Sequence, residues 1–99
     1  MIVIHGKAPI NPEKRELAKD IMKTMMDATL QEEGCITYQF LFNPWDDAQV
    51  QIFEEWETQD ALDKHFHTEH MATFRQALPQ VVTGNFTLKR YVVSEVTVL

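Results

Sequence analysis

The sequence predicts an α+β fold in which helices cover one face of an antiparallel sheet. Three observations lead to this class. The chain has 99 residues, which is enough for one domain and too few for two. Its apolar residues follow strand and helix periods in the order strand, helix, strand, strand, helix, strand. Several of the predicted strands also carry apolar side chains on both faces. We therefore expect a single domain over residues 1–99.

The first strand and the first helix are separated by two prolines. Met1–Ala8 is rich in β-branched residues and is closed by Pro9 and Pro12, which predicts a strand. Asn11 followed by Pro12 and Glu13 predicts a helix start, because Asn11 can accept from a free amide and Pro12 has no amide to leave unpaired.

The predicted first helix is long and amphipathic. A glycine, Gly34, is expected to end it, because glycine adopts the left-handed conformation at little cost. Polar residues, Glu32 among them, lie away from the apolar stripe. The stripe repeats at steps of three and four residues and consists of Leu17, Ala18, Ile21, Met22, Met25, Ala28 and Thr29.

A hairpin follows the first helix. Cys35–Phe42 alternates as a strand, Asn43–Asp47 is a turn, and Gln49–Trp56 returns as a second strand. We expect one face of the first of these strands to carry Ile36, Tyr38, Phe40 and Phe42.

Two short helices and a last strand complete the chain. Thr58 and Thr68 are expected as helix N-caps, because their hydroxyl groups can accept from free backbone amides. The pattern breaks after Leu78, and Phe86–Val98 is predicted as a long final strand.

The apolar residues on both strand faces predict a homodimer. Leu41 lies opposite Phe40 and Phe42, and Phe53 lies opposite Ile52. If helices cover one face of the sheet, a second copy of the sheet is the simplest cover for the other.

Charge and cysteine content exclude several classes of protein. Nine basic against fifteen acidic residues give a net charge of −6, which disfavours a nucleic acid or an anionic membrane as partner. The predicted strand Gln49–Trp56 is acidic where an RNA-recognition domain would be basic and aromatic. No membrane span and no signal segment is recognised, so a cytoplasmic protein is expected. The single cysteine, Cys35, is interpreted as a small buried apolar residue.

Several segments together resemble the antibiotic biosynthesis monooxygenase (ABM) family. The resemblance implies a ferredoxin-like sandwich with an antiparallel sheet, pairing into a dimeric α/β barrel, with a cavity between each sheet and its helices. Members of the family include cofactor-free monooxygenases of phenolic or quinol compounds, heme-degrading enzymes and a small-molecule isomerase. The segments are Glu33-Gly34-Cys35-Ile36-Thr37-Tyr38, Glu55-Trp56-Glu57, Ala61-Leu62-Asp63-Lys64-His65, Thr68-Glu69-His70 and Phe74.

Oxygenation of a quinol without a cofactor requires a base and an apolar cavity. The base converts the substrate into an electron-rich anion that reduces dioxygen, and histidine titrates in the right pH range. His65 is the expected base, because it follows Leu62 on the inner face and matches the family pattern. His70, near a helix start, is expected to stay neutral and to hydrogen-bond the substrate. No cofactor is expected.

Aromatic residues and a further histidine are the candidates for substrate binding. Tyr38 and Trp56 match family positions on adjacent strands, although aromatic residues on a sheet are more often core. Phe66 and Phe74 are core residues that would also line the cavity, and His5 on the first strand is a further candidate. Arg75 is expected at the rim of the cavity.

Three alternatives stay open at this point. A metal could be bound by His67 and His70 with help from Glu69, but Thr68 is expected to break the helix between the two histidines, so no metal is predicted. Heme degradation is disfavoured, since the position of the family's iron-ligating histidine falls near Arg75. A non-catalytic dimer that binds a small ligand, or an isomerase, would use the same cavity.

Overall fold

The computed structural model describes residues 1–99 as one four-stranded sheet with three α-helices on one side. The elements are β1 (Ile2–Pro9), α1 (Arg15–Thr29), β2 (Cys35–Asn43), β3 (Asp46–Trp56), α2 (Gln59–His65), α3 (Glu69–Ala77) and β4 (Thr87–Val92). The strand order is β2-β3-β1-β4, and every neighbouring pair is antiparallel. The predicted α+β, ferredoxin-like fold is confirmed.

The start of the first helix follows the predicted signals. The side chain of Asn11 accepts from the backbone amide of Glu13 at 3.0 Å, and Pro12 opens a short 3-10 turn that leads into α1. Two further N-caps are confirmed. The hydroxyl of Thr58 accepts from the amide of Ala61 at 3.1 Å and starts α2. The hydroxyl of Thr68 accepts from the amide of Met71 at 3.3 Å and starts α3.

The end of the first helix differs from the prediction. The helix stops at Thr29, because the next amides bond to carbonyls only two to four residues back and tighten the chain into turns. Gly34 has a φ of +83° but lies in the link to β2, four residues past the capping Leu30. The turn between them places Glu32 against the ends of α2 and α3.

The hairpin of β2 and β3 contains an irregularity that reverses one expected orientation. The register shifts between Cys35 and Thr37, so one extra residue is inserted and Ile36 is 48% exposed. The prediction that Ile36 shares a face with Tyr38, Phe40 and Phe42 is therefore wrong, because only the last three pack with the core. The turn is also shorter than expected, so β3 begins at Asp46 rather than Gln49.

The last strand is shorter than predicted. Its only neighbour is β1, so the strand ends where Ile2 meets Val92, and one more backbone bond, from the amide of Val93 to the carbonyl of Met1 at 2.9 Å, closes the pairing. The residues beyond have no strand to pair with, and Val96 and Val98 are 62% and 93% exposed.

The core lies between the helices and the inner face of the sheet. None of the helices combines the length and the apolar character needed to cross a lipid bilayer. The outer face of the sheet is not covered by any helix of the chain. The core residues are Ile2, Ile4, Ala8, Ile10, Ala18, Met22, Met25, Tyr38, Val50, Ile52, Trp56, Leu62, Phe74 and Val81.

Candidate functional site

His65 is the histidine that lies inside the protein. It is the last residue of α2 and is 1% exposed. Its Nδ1 lies 2.7 Å from Oε2 of Glu32, and because a carboxylate oxygen can only accept, Nδ1 carries the hydrogen. Burial lowers the pKa of His65 below its ordinary value, although the bond to Glu32 opposes this. The ring is therefore neutral near pH 7, with Nε2 free to accept a proton.

Glu32 joins two histidines that are far apart in the sequence. The same oxygen, Oε2, lies 2.7 Å from Nε2 of His70 in the first turn of α3. The sequence places Glu32 among the polar residues of the predicted first helix, away from its apolar stripe, and no local pattern distinguishes it from Glu33. The only available signal was its position beside the Glu33-Gly34-Cys35 segment. Its role depends on the turn after α1, which sequence analysis did not predict.

The same three residues are the group that could hold a metal ion. The ligand atoms of Glu32, His65 and His70 lie within 4.8 Å of one another, and two histidines with one glutamate form a known zinc ligand set. The alternative set built on His67 and Glu69 is wrong, because both residues are exposed and only His70 turns inward. The distances of 2.7 Å from Oε2 of Glu32 to the ring nitrogens of His65 and His70 are those of charge-assisted hydrogen bonds.

A cavity of about 190 Å³ lies between the inner face of the sheet and helices α2 and α3. One wall comes from the sheet and the other from the helices, and most of the lining is apolar. The predicted residues Tyr38, His65, Phe66 and Phe74 all line it, and Arg75, exposed, stands at its edge. The full lining is Tyr38, Ile52, Glu54, His65, Phe66, Met71, Phe74, Arg75, Leu78, Phe86 and Leu88.

Three buried residues that line this cavity each have a side-chain polar atom without a hydrogen-bond partner in the protein. The atoms are Oη of Tyr38, Oε2 of Glu54 and Nε2 of His65, in residues that are 2%, 5% and 1% exposed. The only fully enclosed side-chain polar atom without a partner is Nε of Arg15. The three atoms therefore keep accessible surface, and a ligand in the cavity can reach them. Unpaired polar groups in an apolar cavity favour a ligand that satisfies them.

Glu54 was missed by the sequence analysis. Its Oε1 accepts from Nε1 of Trp56 at 2.8 Å. Burial raises the pKa of Glu54 to about 7, the Trp56 bond opposes the shift, and the charge of Glu32 adds to it. Strand alternation contained a signal, because Glu54 shares the inner face with Ile52 and Trp56.

Two residues that were predicted to bind substrate, Trp56 and His5, do not line the cavity. Trp56 is 0% exposed and does not line the cavity, since its ring packs 4.9 Å from that of His65 and its nitrogen bonds to Glu54. His5 is on the outer face, because strand alternation directs Ile4 inward and His5 outward, where its Nε2 lies 3.0 Å from Gln51. Neither residue is therefore in position to contact a ligand in this cavity.

His70 also does not line the cavity. It borders an open groove of about 470 Å³ between α1 and α3. Its connection to His65 is through the shared carboxylate oxygen, rather than through a ligand.

Two further ionisable groups near the cavity, Cys35 and Tyr38, are uncharged at neutral pH. Burial, together with the charges of Glu32 and Glu54, raises the pKa of the Cys35 thiol to about 11. Burial also raises the pKa of Tyr38 well above its ordinary value, with the charges of Glu54 and Glu32 adding to the effect. Tyr38 therefore acts as a neutral hydrogen-bonding group.

Comparison with known proteins supports the resemblance noted above. The family described as "Antibiotic biosynthesis monooxygenase" matches residues 1–77. A protein of Synechocystis sp., sll1783, is 30% identical over 98 residues, covering 99% of this chain and 67% of its own length. Protein Rv0793 of Mycobacterium tuberculosis is 26% identical over 72 residues, covering 73% of this chain and 70% of the relative.

Solved structures share the fold. A conserved protein from Methanosarcina mazei Go1 superposes with a TM-score of 0.85 at 26% identity, over 91% of this chain and 89% of that one. The structure of Rv0793 gives a TM-score of 0.87 at 18% identity, over 98% of each chain.

Proposed function

Because this chain belongs to the antibiotic biosynthesis monooxygenase family, we propose that it is a cofactor-independent monooxygenase of a quinol or similar small phenolic compound. The proposed base is His65. The family membership supports monooxygenase-like chemistry, and the arrangement of the cavity supports the choice of base and substrate.

The observation that carries the proposal is the state of His65. Its Nδ1 is bonded to Glu32 at 2.7 Å, its Nε2 is unpaired, and it borders an apolar cavity. A neutral imidazole held in one tautomer by a carboxylate is a suitable general base. When Nε2 accepts a proton, the nearby charge of Glu32 stabilises the imidazolium that forms.

The chemistry requires an anion in an environment that contains little water. Removal of a hydroxyl proton leaves the electron pair on the ring oxygen, and the resulting anion transfers electrons to dioxygen. The substrate supplies all the electrons: one hydroquinone and one dioxygen give one hydroxyquinone and one water. The apolar lining of Phe66, Met71 and Phe74 limits the access of water to this anion.

His70 has a positioning role in this proposal. It donates to the same oxygen of Glu32 that accepts from His65, so it holds that carboxylate in place without touching the substrate. Outer hydrogen bonds of this kind commonly orient a functional side chain.

The proposal includes a homodimer formed through the outer face of the sheet. No helix of the chain covers this face, and Leu41 and Tyr91 are 45% and 46% exposed there. Apolar side chains on a sheet face that no helix of the chain covers favour association with a second copy.

Dioxygen consumption tests the proposal. Chelator-treated protein is mixed with a panel of quinols and phenols, and uptake is compared with the autoxidation blank. We expect uptake by the wild type, a fall of at least about a hundredfold in His65→Ala, and no change in His67→Ala, whose histidine is exposed. Equal activity of His65→Ala and the wild type would remove His65 from the mechanism.

An isomerase is the second candidate, because two groups that can exchange protons, His65 and Glu54, border one cavity. An isomerase moves a proton within its substrate and consumes no dioxygen, so the same assay distinguishes the two. A non-catalytic carrier would bind the panel compounds without turnover.

Heme degradation is a poor fit to the cavity. A volume of about 190 Å³ is below the roughly 300 Å³ at the lower end of ordinary ligand pockets, and a heme is larger than most such ligands. The only other histidine near the site, His70, faces the groove and Glu32.

A further inference from the structure

We propose that Glu54 is a second proton-exchanging residue of the cavity and that it binds the second oxygen of a one-ring substrate whose first oxygen lies at His65. This inference rests on the proposed function for its chemistry. It adds a residue that was not among the candidates from the sequence, and a limit on the size of the substrate.

The polar atoms are divided between the two walls of the cavity. Glu54 on β3 is directly paired with Tyr38 on β2, so both side chains project from the sheet. His65 is on the helical wall, at the end of α2. Trp56 occupies Oε1 of Glu54 at 2.8 Å and leaves Oε2 free. The Tyr38 ring packs edge-on against that of His65, with centroids 5.4 Å apart, so Glu54 is the sheet residue left for the far end of a ligand whose first oxygen lies at His65.

Two oxygens are needed because both walls carry an unsatisfied polar group. A ring with one hydroxyl would bond to Nε2 of His65 and leave Oε2 of Glu54 without a partner. An unpaired buried polar group costs free energy. A second hydroxyl would bond to this oxygen. The two sites thus select for a dihydroxy ring over a ring with a single hydroxyl.

The volume of the cavity limits the size of the ring system. A cavity of about 150 Å³ is known to hold benzene, so about 190 Å³ accommodates one substituted ring. A fused system of two or three rings would require the lining to move.

The environment of Glu54 suits proton exchange. Cys35 and Tyr38 lie near it on β2, Glu32 lies beyond them in the turn after α1, and His65 and Arg75 face the same cavity from α2 and α3. Burial, with the charge of Glu32, raises the pKa of Glu54 to about 7, so both protonation states are present near neutral pH. In the exchange the substrate O–H bond breaks, the proton passes to Oε2 of Glu54, and the electron pair stays on the ring oxygen.

Equilibrium binding under argon tests the inference without turnover. The probes are hydroquinone and phenol, and the variants are Glu54→Gln and, as a matched control, Glu57→Gln, which is exposed just beyond β3. Glutamine keeps the shape and can still accept from Trp56 through its amide oxygen, but the amide nitrogen that then faces the cavity cannot accept from a hydroxyl.

We expect wild-type protein to bind hydroquinone at least about tenfold more tightly than phenol. Glu54→Gln should weaken this preference, because its amide can donate to the second hydroxyl but can neither accept from it nor take up its proton, and Glu57→Gln should keep it in full. The inference is overturned if hydroquinone and phenol bind wild-type protein equally, or if Glu54→Gln retains the preference in full.

A measurement on the wild-type protein guards against misfolding of the variant. Hydroquinone should shift the carboxyl carbon resonance of Glu54, and phenol should leave it in place; no shift with hydroquinone overturns the inference. The role of Glu54 and the oxygenase function can be contradicted independently of each other. Glu54-dependent binding without dioxygen uptake would contradict the oxygenase alone, and His65-dependent uptake with an unchanged Glu54→Gln preference would contradict the role of Glu54 alone.

Discussion

The Oε2 atom of Glu32 accepts hydrogen bonds from both His65 and His70, each at 2.7 Å. This single oxygen fixes the tautomer of both rings and leaves Nε2 of His65 facing the cavity. The negative charge of Glu32 also lies where a positive charge would form when His65 accepts a proton.

The first prediction concerns this carboxylate. We expect Glu32→Gln to lower the rate of dioxygen uptake by at least about tenfold, because glutamine lacks the charge that stabilises the imidazolium. The matched control is Glu33→Gln, which changes the exposed neighbour. An oxygen electrode measures both, and equal rates in the two variants would show that Glu32 does not act on the base.

The second prediction is the pH dependence that Glu54 gives to stability. Its pKa in the folded protein is about 7, against about 4.3 in an unfolded chain. The folded protein therefore binds more protons between these values, and the free energy of unfolding falls as pH rises through them, by on the order of 3 kcal/mol. His65 has the opposite effect on stability, because its pKa in the folded protein is lowered. The folded protein binds fewer protons at His65 than the unfolded chain does, so the free energy of unfolding falls as pH falls below about 6.5.

Comparison of the wild type with Glu54→Gln isolates the effect of the Glu54 carboxyl group on stability, since both proteins contain His65. We expect the difference in unfolding free energy between Glu54→Gln and the wild type to increase in favour of the variant from pH 5 to pH 8. Urea denaturation at four pH values measures it. A difference that does not change with pH would show that Glu54 is not buried as a titrating group.

At the residue scale, sequence reasoning identified His65 but neither of the carboxylates near it. His65 was recognisable because histidine is the usual base near neutral pH and because its segment matches the family pattern. Glu32 was not recognisable, since its hydrogen-bond partners, His65 and His70, lie 33 and 38 positions away along the chain. Glu54 was recognisable in principle from strand alternation with Ile52 and Trp56.

At the scale of elements, the link from α1 to β2 sets the position of Glu32. The helix ends at Thr29, and the link passes through Gly34, whose φ is +83°. A Cβ atom there would lie 2.6 Å from Cβ of Ala61 in α2. The backbone conformation and the close approach of α2 both require glycine at this position.

The third prediction follows from this link. Gly34→Ala should lower the free energy of unfolding by about 1–3 kcal/mol, because alanine is strained at this φ and collides with Ala61. Adding Ala61→Gly should recover part of the loss by removing the contact while leaving the strain. Urea denaturation measures both variants; a Gly34→Ala protein as stable as the wild type would contradict this account of the link.

The sequence predicted those elements whose signals are local. The caps at Asn11, Thr58 and Thr68 depend on neighbouring amides, and all three are observed. The register shift that exposes Ile36 and the end of β4 at Val92 depend on pairing with distant strands. Local patterns contain no information on where such pairing stops, which is why these boundaries were wrong.

At the scale of the whole molecule, the sheet has one face covered by helices and one uncovered. The cavity lies on the covered side, and its two walls come from segments that the fold alone brings together. The sequence predicted the layers from periodicity, but the volume of the cavity and the set of unpaired atoms in it depend on tertiary packing.

The fourth prediction is the homodimer. Light scattering should give a mass near twice 11.6 kDa for the wild type. A charge on the uncovered face, in Leu41→Asp, should shift the protein toward a monomer, because burial of an unpaired carboxylate is costly. Lys14→Asp, an exposed change away from the sheet, is the control. A wild-type monomer would contradict the proposed pairing of sheets.

The central claim is that His65 in the cavity promotes transfer of one oxygen atom from dioxygen to a one-ring quinol. Its most direct test is the mass spectrum of the product formed from hydroquinone under ¹⁸O₂. The account predicts a product with one ¹⁸O atom from the wild type, at a rate that falls at least about a hundredfold in His65→Ala. An unlabelled quinone formed together with hydrogen peroxide, at the same rate in both proteins, would contradict it.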